Sequence, residues 1–285
     1  MALLRPMTAA DIPAGLGLCR ASRWNQLEDD WRTFIESPRG GGYVATKNGS
    51  VVGTVTFIRY DTLSWIAMML VEQAERGTGI GSQLLEEAMA ALENESCVGL
   101  DATPAGEPMY RRHGFVEGYG LLRMKATIES RRFEGTANHV RPMDSADLPD
   151  VFKRDRRAFG ADRAGLLASL YKRVPQCAWI ARNDDELLGY CFGRPGHLYN
   201  QLGPIVAERE EIARELASRC LREHDGKPFV IDTPDGASHH APEWLAWLRS
   251  SGFAEERPLL RMYLSRHEPR DLPSSHFGIA GPEFG

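Results

Sequence analysis

The feature that most constrains this chain is that it repeats itself. Leu4-Arg5-Pro6-Met7, followed by Asp11-Ile12-Pro13, returns as Val140-Arg141-Pro142-Met143, followed by Asp147-Leu148-Pro149, at a shift of 136 residues. At the same shift, Asn48-Gly49-Ser50-Val51-Val52-Gly53 returns as Asp184-Asp185-Glu186-Leu187-Leu188-Gly189. Gly114-Phe115 and Leu121-Leu122-Arg123-Met124 return as Gly252-Phe253 and Leu259-Leu260-Arg261-Met262, the shift now being 138. Anchors in one order at nearly one spacing mark a tandem duplication. Two folded units are expected, residues 1–130 and 137–285, joined between Arg131 and Ala137. A chain of 285 residues is long enough to give each its own core.

Each unit reads as α/β. In the first, Gly42–Lys47 and Ser50–Ile58 flank an Asn48-Gly49 turn, which is a hairpin signal. Trp65–Val71 is a continuous apolar run, suited to a central strand covered on both faces. Gly79–Leu92 places Ile80, Leu84, Leu85, Ala88 and Leu92 on one stripe, with Ser82, Gln83, Glu86 and Glu87 opposite, which predicts an amphipathic helix. Val98–Ala102 is a short strand, Glu107–His113 a short helix closed by Gly114, and strands resume at Phe115 and Leu121–Thr127. This succession predicts an α/β fold in which each unit is a central mixed sheet flanked by helices.

Composition narrows the function. The 34 basic and 39 acidic residues leave a net charge of -5, which is no electrostatic footprint for a nucleic acid. Clusters such as Arg131-Arg132 and Arg154-Asp155-Arg156-Arg157 are short and read as solvated faces. Cys19, Cys97, Cys177, Cys191 and Cys220 are scattered, without a C-x-x-C pair, so buried free thiols are expected rather than a disulfide framework or a metal site. The opening Met-Ala-Leu-Leu-Arg-Pro lacks a charged leader and apolar h-region, and no apolar run approaches the ~18 residues of a membrane span. A cytoplasmic protein without a membrane partner is the expectation.

Chemistry concentrates between the apolar strand and the amphipathic helix, in Glu75-Arg76-Gly77-Thr78-Gly79-Ile80-Gly81-Ser82. Glycines let the backbone approach a ligand closely, and the first turn of a helix presents unpaired N–H groups backed by its dipole. Together these make a pyrophosphate cradle. No lysine follows, so a P-loop is excluded, and the third glycine comes one residue early for G-x-G-x-x-G. The competing reading is a glycine-rich helix start that serves packing alone.

Arg76-Gly77-Thr78-Gly79-Ile80-Gly81 is similar to the R/Q-x-x-G-x-G/A signature of the GCN5-related N-acetyltransferase (GNAT) superfamily and sits, as there, between a strand and its helix. Met109-Tyr110-Arg111-Arg112-His113-Gly114-Phe115 resembles that family's L-Y-x-x-x-G-F. The resemblance covers most of residues 1–127 and, with the repeat, extends to the tandem-domain members. It implies that acetyl-CoA is the co-substrate. Met69, Leu70 and Val71 would lie on a strand that splays from its neighbour, freeing amides for the thioester and pantetheine arm. Arg76, Gly77, Thr78, Gly79, Ile80, Gly81 and Ser82 would hold the pyrophosphate. Thr103 stands where the family commonly has an asparagine, seven residues before the tyrosine, and still offers a hydrogen bond. Tyr110 is the implied general acid: a phenol of pKa about 10 is protonated at neutral pH and can supply a thiolate of pKa about 8.5.

The base stays open among Asp101, the run Glu28-Asp29-Asp30, Asp61 and Glu72, while His113, just before the helix C-cap, reads as structural. The implied activity is acetyl transfer to the amine of a small molecule by direct attack. A protein or peptide amine, or a non-catalytic acyl-CoA-binding regulator, are the alternatives. In the second unit Gly77, Gly79 and Gly81 fall on Ala213, Glu215 and Ala217, and Tyr110 falls on Leu248, so that unit is expected to be catalytically silent. Its tail, from Pro269, reads as an extended arm or docked loop.

Overall fold

The computed structural model describes residues 2–133, 139–183, 186–236, 241–265 and 273–285. The first half runs β1 (Leu3–Pro6), α1 (Ile12–Ala21), α2 (Glu28–Ile35), β2 (Gly40–Lys47), β3 (Ser50–Arg59), β4 (Ser64–Val71), α3 (Ile80–Ala91), β5 (Cys97–Ala102), α4 (Glu107–Arg112) and β6 (Val116–Thr127). The second repeats that succession: β7 (Val140–Pro142), α5 (Leu148–Phe159), α6 (Ala164–Arg173), β8 (Trp179–Asn183), β9 (Glu186–Arg194), β10 (Asn200–Ala207), α7 (Glu210–Arg222), β11 (Pro228–Pro234), α8 (Ala241–Ser250) and β12 (Ala254–Ser265). A last short strand, β13 (His276–Gly278), has no counterpart in the first half.

The repeated sequence anchors turn out to be structural clamps. Arg5 grips Asp11 through two hydrogen bonds of 2.8 and 2.6 Å, and Arg141 grips Asp147 through two of 2.7 and 2.8 Å. Each aspartate also accepts the backbone N–H three residues earlier, from Thr8 and Asp144, and so caps the turn that starts the first helix of its half. The Asn48-Gly49 turn has φ of 52° and 80°, the left-handed pair that a two-residue hairpin needs. Its counterpart at Asp184-Asp185 lies outside the described residues, as do Ala137 at the expected boundary and the tail from Pro269 to Leu272.

The strands form one continuous sheet in the order β1-β2-β3-β4-β5-β12-β6-β11-β10-β9-β8-β7, with β13 paired to β10. The last strand of each half has crossed over. β12 of the second half pairs antiparallel with β5, and β6 of the first half pairs antiparallel with β11. The two exchanged strands also pair with each other, from Ala254–Lys125 to Tyr263–Val116. The mixed sheets of the two halves therefore join edge to edge, each completed by the other's strand, and neither half has an open edge at the centre.

Helices cover both faces. Ile80, Leu84, Leu85 and Ala88 of α3 pack on the first half of the sheet with Val55, Ile66 and Leu100. In the second half Ile212, Leu216 and Cys220 of α7 pack on Ile205 and Ile231. A third cluster joins the halves, running from Trp31, Phe34 and Trp65 to Phe159, Leu167 and Phe192. Phe284, near the end of the chain, stacks on Phe34 at 5.3 Å within it.

Candidate active site

β4 and β5 are parallel neighbours only at Ser64–Val98 and Trp65–Gly99, and beyond that point they part. The cause lies in β4. Its pairing with β3 slips between Thr54 and Thr56, so that an extra residue bulges, and Met68 takes a left-handed φ of 49°. A β-bulge bends its strand, and a non-glycine residue in that region is strain held by its surroundings. Here the Thr54 hydroxyl donates to the Met68 carbonyl at 2.8 Å. Met69, Leu70 and Val71 belong to the part of β4 that has no β5 partner, the segment where the family resemblance implies a splay.

The glycine turn closes one end of the gap. Gly77 and Gly79 have φ of 80° and 92°, and a Cβ at either would meet no atom within 4 Å. These two glycines are thus required by backbone conformation and face open space, which the packing-only reading does not demand. The first amide of α3 to bond back along the helix is that of Gln83, to Gly79 O at 3.1 Å, which leaves the N–H groups of Ile80, Gly81 and Ser82 at the turn without helical acceptors. Arg76 Nε donates to Val71 O at 3.2 Å and Thr78 Oγ1 to Glu75 O at 2.7 Å, bracing the loop against the strand end. Open glycines, first-turn amides and a splayed strand fit the diphosphate and pantetheine arm of a coenzyme A thioester.

At the other end of the gap is a small cavity of about 50 Å3, whose lining includes Met68, Met69, Thr103, Tyr110, Arg257 and Glu283. Tyr110 packs edge-on against Phe115 at 6.0 Å, and the Phe115 N–H bonds the Tyr110 carbonyl at 3.1 Å, so the Gly114-Phe115 turn fixes the ring. Burial alone pushes its phenol well above the usual range. Thr103 starts α4: its carbonyl accepts the N–H groups of Gly106 and Glu107 at 2.9 and 3.0 Å, which sets the distance from β5 to Tyr110.

None of the carboxylates singled out in the sequence is a free base inside the cavity. Asp101 reaches the cavity lining, but both its oxygens are taken by Arg261 at 2.8 and 2.9 Å. Asp30 is fully buried against Arg194 at 2.9 Å and caps α2, while Glu28 pairs with Arg32 and Asp29 with Arg173. Asp61 binds Arg156 and the Asp162 N–H, and Glu72 is exposed outside the cavity. His113 is structural: its Nδ1 lies 2.8 Å from Met109 O.

The sequence reading missed Glu283 and Arg257. Glu283 is 3% exposed, its Oε1 bonded to Arg194 and its Oε2 without a hydrogen-bond partner. Burial raises its carboxyl above the ordinary value, opposed by the Arg194 charge. Arg257 follows a bulge at Glu256 in β12, and its Nε has no hydrogen-bond partner. Burial, and then the nearby Arg123 charge, pull its guanidinium below the usual value. No motif surrounds either residue, and both reach this cavity from the far half of the chain.

The second half lacks these features for a physical reason. Ala213, Glu215 and Ala217 lie inside α7, and Leu248, at the position of Tyr110, is fully buried. β10 and β11 pair in parallel only from Asn200 to Leu202, as β4 and β5 do, but beyond that point β10 pairs with β13 through Ile205–Gly278 and Val206–His276. The Ile279 N–H then bonds Asp232 O of β11 at 2.8 Å. The tail fills the gap that stays open in the first half, and from there it carries Glu283 into the first cavity.

Known proteins share this fold. Two models described as Acetyltransferase (GNAT) domain match residues 38–117 and 151–278. A holothin acyltransferase of Pseudoalteromonas sp. (strain SANK 73390) is 26% identical over 93% of this chain and 88% of its own. An uncharacterized N-acetyltransferase of Bacillus subtilis, YitH, is 24% identical over 77% of each chain. Among solved structures, a putative acetyltransferase from Pyrococcus horikoshii superposes with a TM-score of 0.82 at 19% identity, covering 100% of this chain and 96% of that one. A tandem GNAT protein from the clavulanic acid biosynthesis pathway gives 0.67 at 14% identity, covering 94% and 99%.

Proposed function

The chain belongs to the GNAT acetyltransferase family as a tandem member and is an acyltransferase; from that premise we propose that its first half transfers an acetyl group from acetyl-CoA to the amine of a small molecule. One observation carries the proposal: Tyr110 and Glu283, whose Oε2 has no hydrogen-bond partner, are both lining residues of one cavity that also includes Met69. An acid and a base at one reaction centre are what direct transfer requires.

In this reading Gly77 to Ser82 hold the diphosphate and the strand at Met69, Leu70 and Val71 binds the pantetheine arm and polarises the thioester carbonyl. The acceptor amine enters from the side of Glu283. As its nitrogen bonds the acetyl carbon, Glu283 Oε2 takes the proton it sheds. The carbon–sulfur bond then breaks, and Tyr110 gives its phenolic proton to the departing thiolate. Water returns the proton from Glu283 to Tyr110, leaving both groups as they began.

Walls on β4, β5 and the tail narrow the cavity and favour a small acceptor over a polypeptide strand. The relative named as a holothin acyltransferase, a name that mentions no protein acceptor, points the same way. Arg257, short of hydrogen-bond partners and beside the charge of Arg123, favours an acceptor that carries a carboxylate or other anionic group. The test is thiol release from acetyl-CoA over a panel of amines with and without such a group. Glu283→Gln should lower kcat and remove the acidic limb of the rate profile, while acetyl-CoA affinity persists. Wild-type turnover in that variant would end the role of Glu283, and peptide amines outpacing every small one would end the small-acceptor reading.

A further inference from the structure

The second half, which lacks the glycine turn and a counterpart of Tyr110, gathers a different set of donor atoms. Cys177 ends the turn Pro175–Cys177 ahead of β8, Cys220 lies in the last turn of α7, and His224 follows one turn later. The two sulfurs and a ring nitrogen of His224 all lie within 4.8 Å of one another. The sequence gives no hint of this, because Cys177 and Cys220 are far apart in the chain and come together only when α7 packs on the sheet.

The geometry is that of a ligand set. His224 Nδ1 sits 2.7 Å from Cys220 O, so it donates its proton to the helix carbonyl and leaves the lone pair on Nε2. Nε2 lies 3.6 Å from Cys177 Sγ. Zinc–sulfur bonds of about 2.3 Å and zinc–nitrogen bonds of about 2.0–2.1 Å at a tetrahedral angle put the two donors about 3.6 Å apart. Phe229 packs edge-on to the imidazole at 5.2 Å and fixes its plane. Gly193 of β9 makes room: a Cβ there would come 3.1 Å from that of Cys177. A third thiol, Cys191 on β9, is fully buried and within hydrogen-bonding reach of Cys220.

We propose that Cys177, Cys220 and His224 bind one zinc ion or another thiophilic divalent cation, with a water as the fourth ligand. The ion would be structural, since it would tie the turn before β8 and the end of α7 to the sheet, remote from Tyr110. Binding requires both thiols to give up their protons, so it releases them to solvent. The proposal is independent of the acetyl-transfer reading.

The experiment uses the full chain, purified under reducing conditions. Elemental analysis should find about one zinc per chain, and cobalt(II) added to chelator-treated protein should give the visible bands of a tetrahedral thiolate site. Cys177→Ser and His224→Ala should each weaken or abolish both signals. Zinc should raise the melting temperature of the wild-type chain, and a chelator should lower it, so the test does not depend on whether a variant folds. Metal-free protein that shows neither cobalt bands nor a zinc-dependent melting shift would overturn the proposal. Equally, fewer than five titratable thiols in metal-free, air-exposed protein, with restored thiols still unable to bind cobalt, would assign the cluster to a disulfide.

Discussion

Arg261 of the second half holds Asp101 of the first through two hydrogen bonds, Nε to Oδ1 at 2.8 Å and Nη2 to Oδ2 at 2.9 Å, with neither side chain exposed. The repeat places Arg123 opposite Asp232 in the mirrored position, at 2.7 and 2.8 Å. Each exchanged strand thus carries a guanidinium into the other half's sheet and meets a carboxylate on the strand beside it. Arg261 also lies over the Trp65 ring at 4.7 Å and donates to the Tyr119 hydroxyl at 2.9 Å, so the crossing is tied to the common core.

Breaking this lock should cost far more than a surface ion pair. Removing one partner leaves the other as an uncompensated buried charge, which typically costs about 3–5 kcal/mol. Arg261→Met should lower the unfolding free energy by that order, and adding Asp101→Leu should recover much of the loss. Urea unfolding of the two variants checks this. A single variant within about 0.5 kcal/mol of wild type would show that the strand exchange does not rely on the pair.

The glycine turn predicts a donor-binding defect without misfolding. A side chain at Gly79 meets nothing within 4 Å, so Gly79→Asp should fold at the modest strain of a left-handed aspartate. Its carboxylate would face the diphosphate and should weaken acetyl-CoA at least tenfold, about 1.4 kcal/mol. Calorimetry should also give one site per wild-type chain, because β13 occupies the second gap. Two equivalent sites would contradict that account.

Tyr110→Phe removes one hydroxyl and keeps the ring against Phe115, so folding should survive. If Tyr110 protonates the thiolate, kcat should fall by about 10²–10⁴-fold with little change in the KM for acetyl-CoA. Because burial raises the phenol, the wild-type basic limb should lie above the ordinary phenolic value of about 10, and the variant should lose it. An unchanged rate and profile would reduce Tyr110 to a packing residue.

The clamp at the chain's start should show in acid. Hydrogen bonds from Arg5 are the largest cause holding Asp11 down to about 2. The folded value is thus below the unfolded one of about 3.9, so the stabilisation is complete above that range and fades as pH falls toward 2. The stability gap between wild type and Asp11→Asn should be widest near neutrality and should narrow below about pH 4. A gap independent of pH would mean that charge plays no part in the clamp.

What the sequence determined by itself was local. The Asn48-Gly49 hairpin, the glycine turn from Gly77 to Gly81 and the helix carrying Tyr110 follow from φ preferences, periodicity and spacing within a few residues, and the duplication follows from comparing the chain with itself. What only the tertiary structure decided was long-range. β6 and β12 carry the same pattern at a shift of 138, so nothing in either says which sheet it will join. Once they cross, Asp101 loses its freedom to act as a base, Arg257 enters the first cavity, and the tail plugs one gap before delivering Glu283 to the other. The cysteines and His224 likewise become neighbours only through the packing of α7. A carboxylate's chemistry depends on what lies within a few ångströms of it, and for Asp101 and Glu283 those neighbours come from distant parts of the chain.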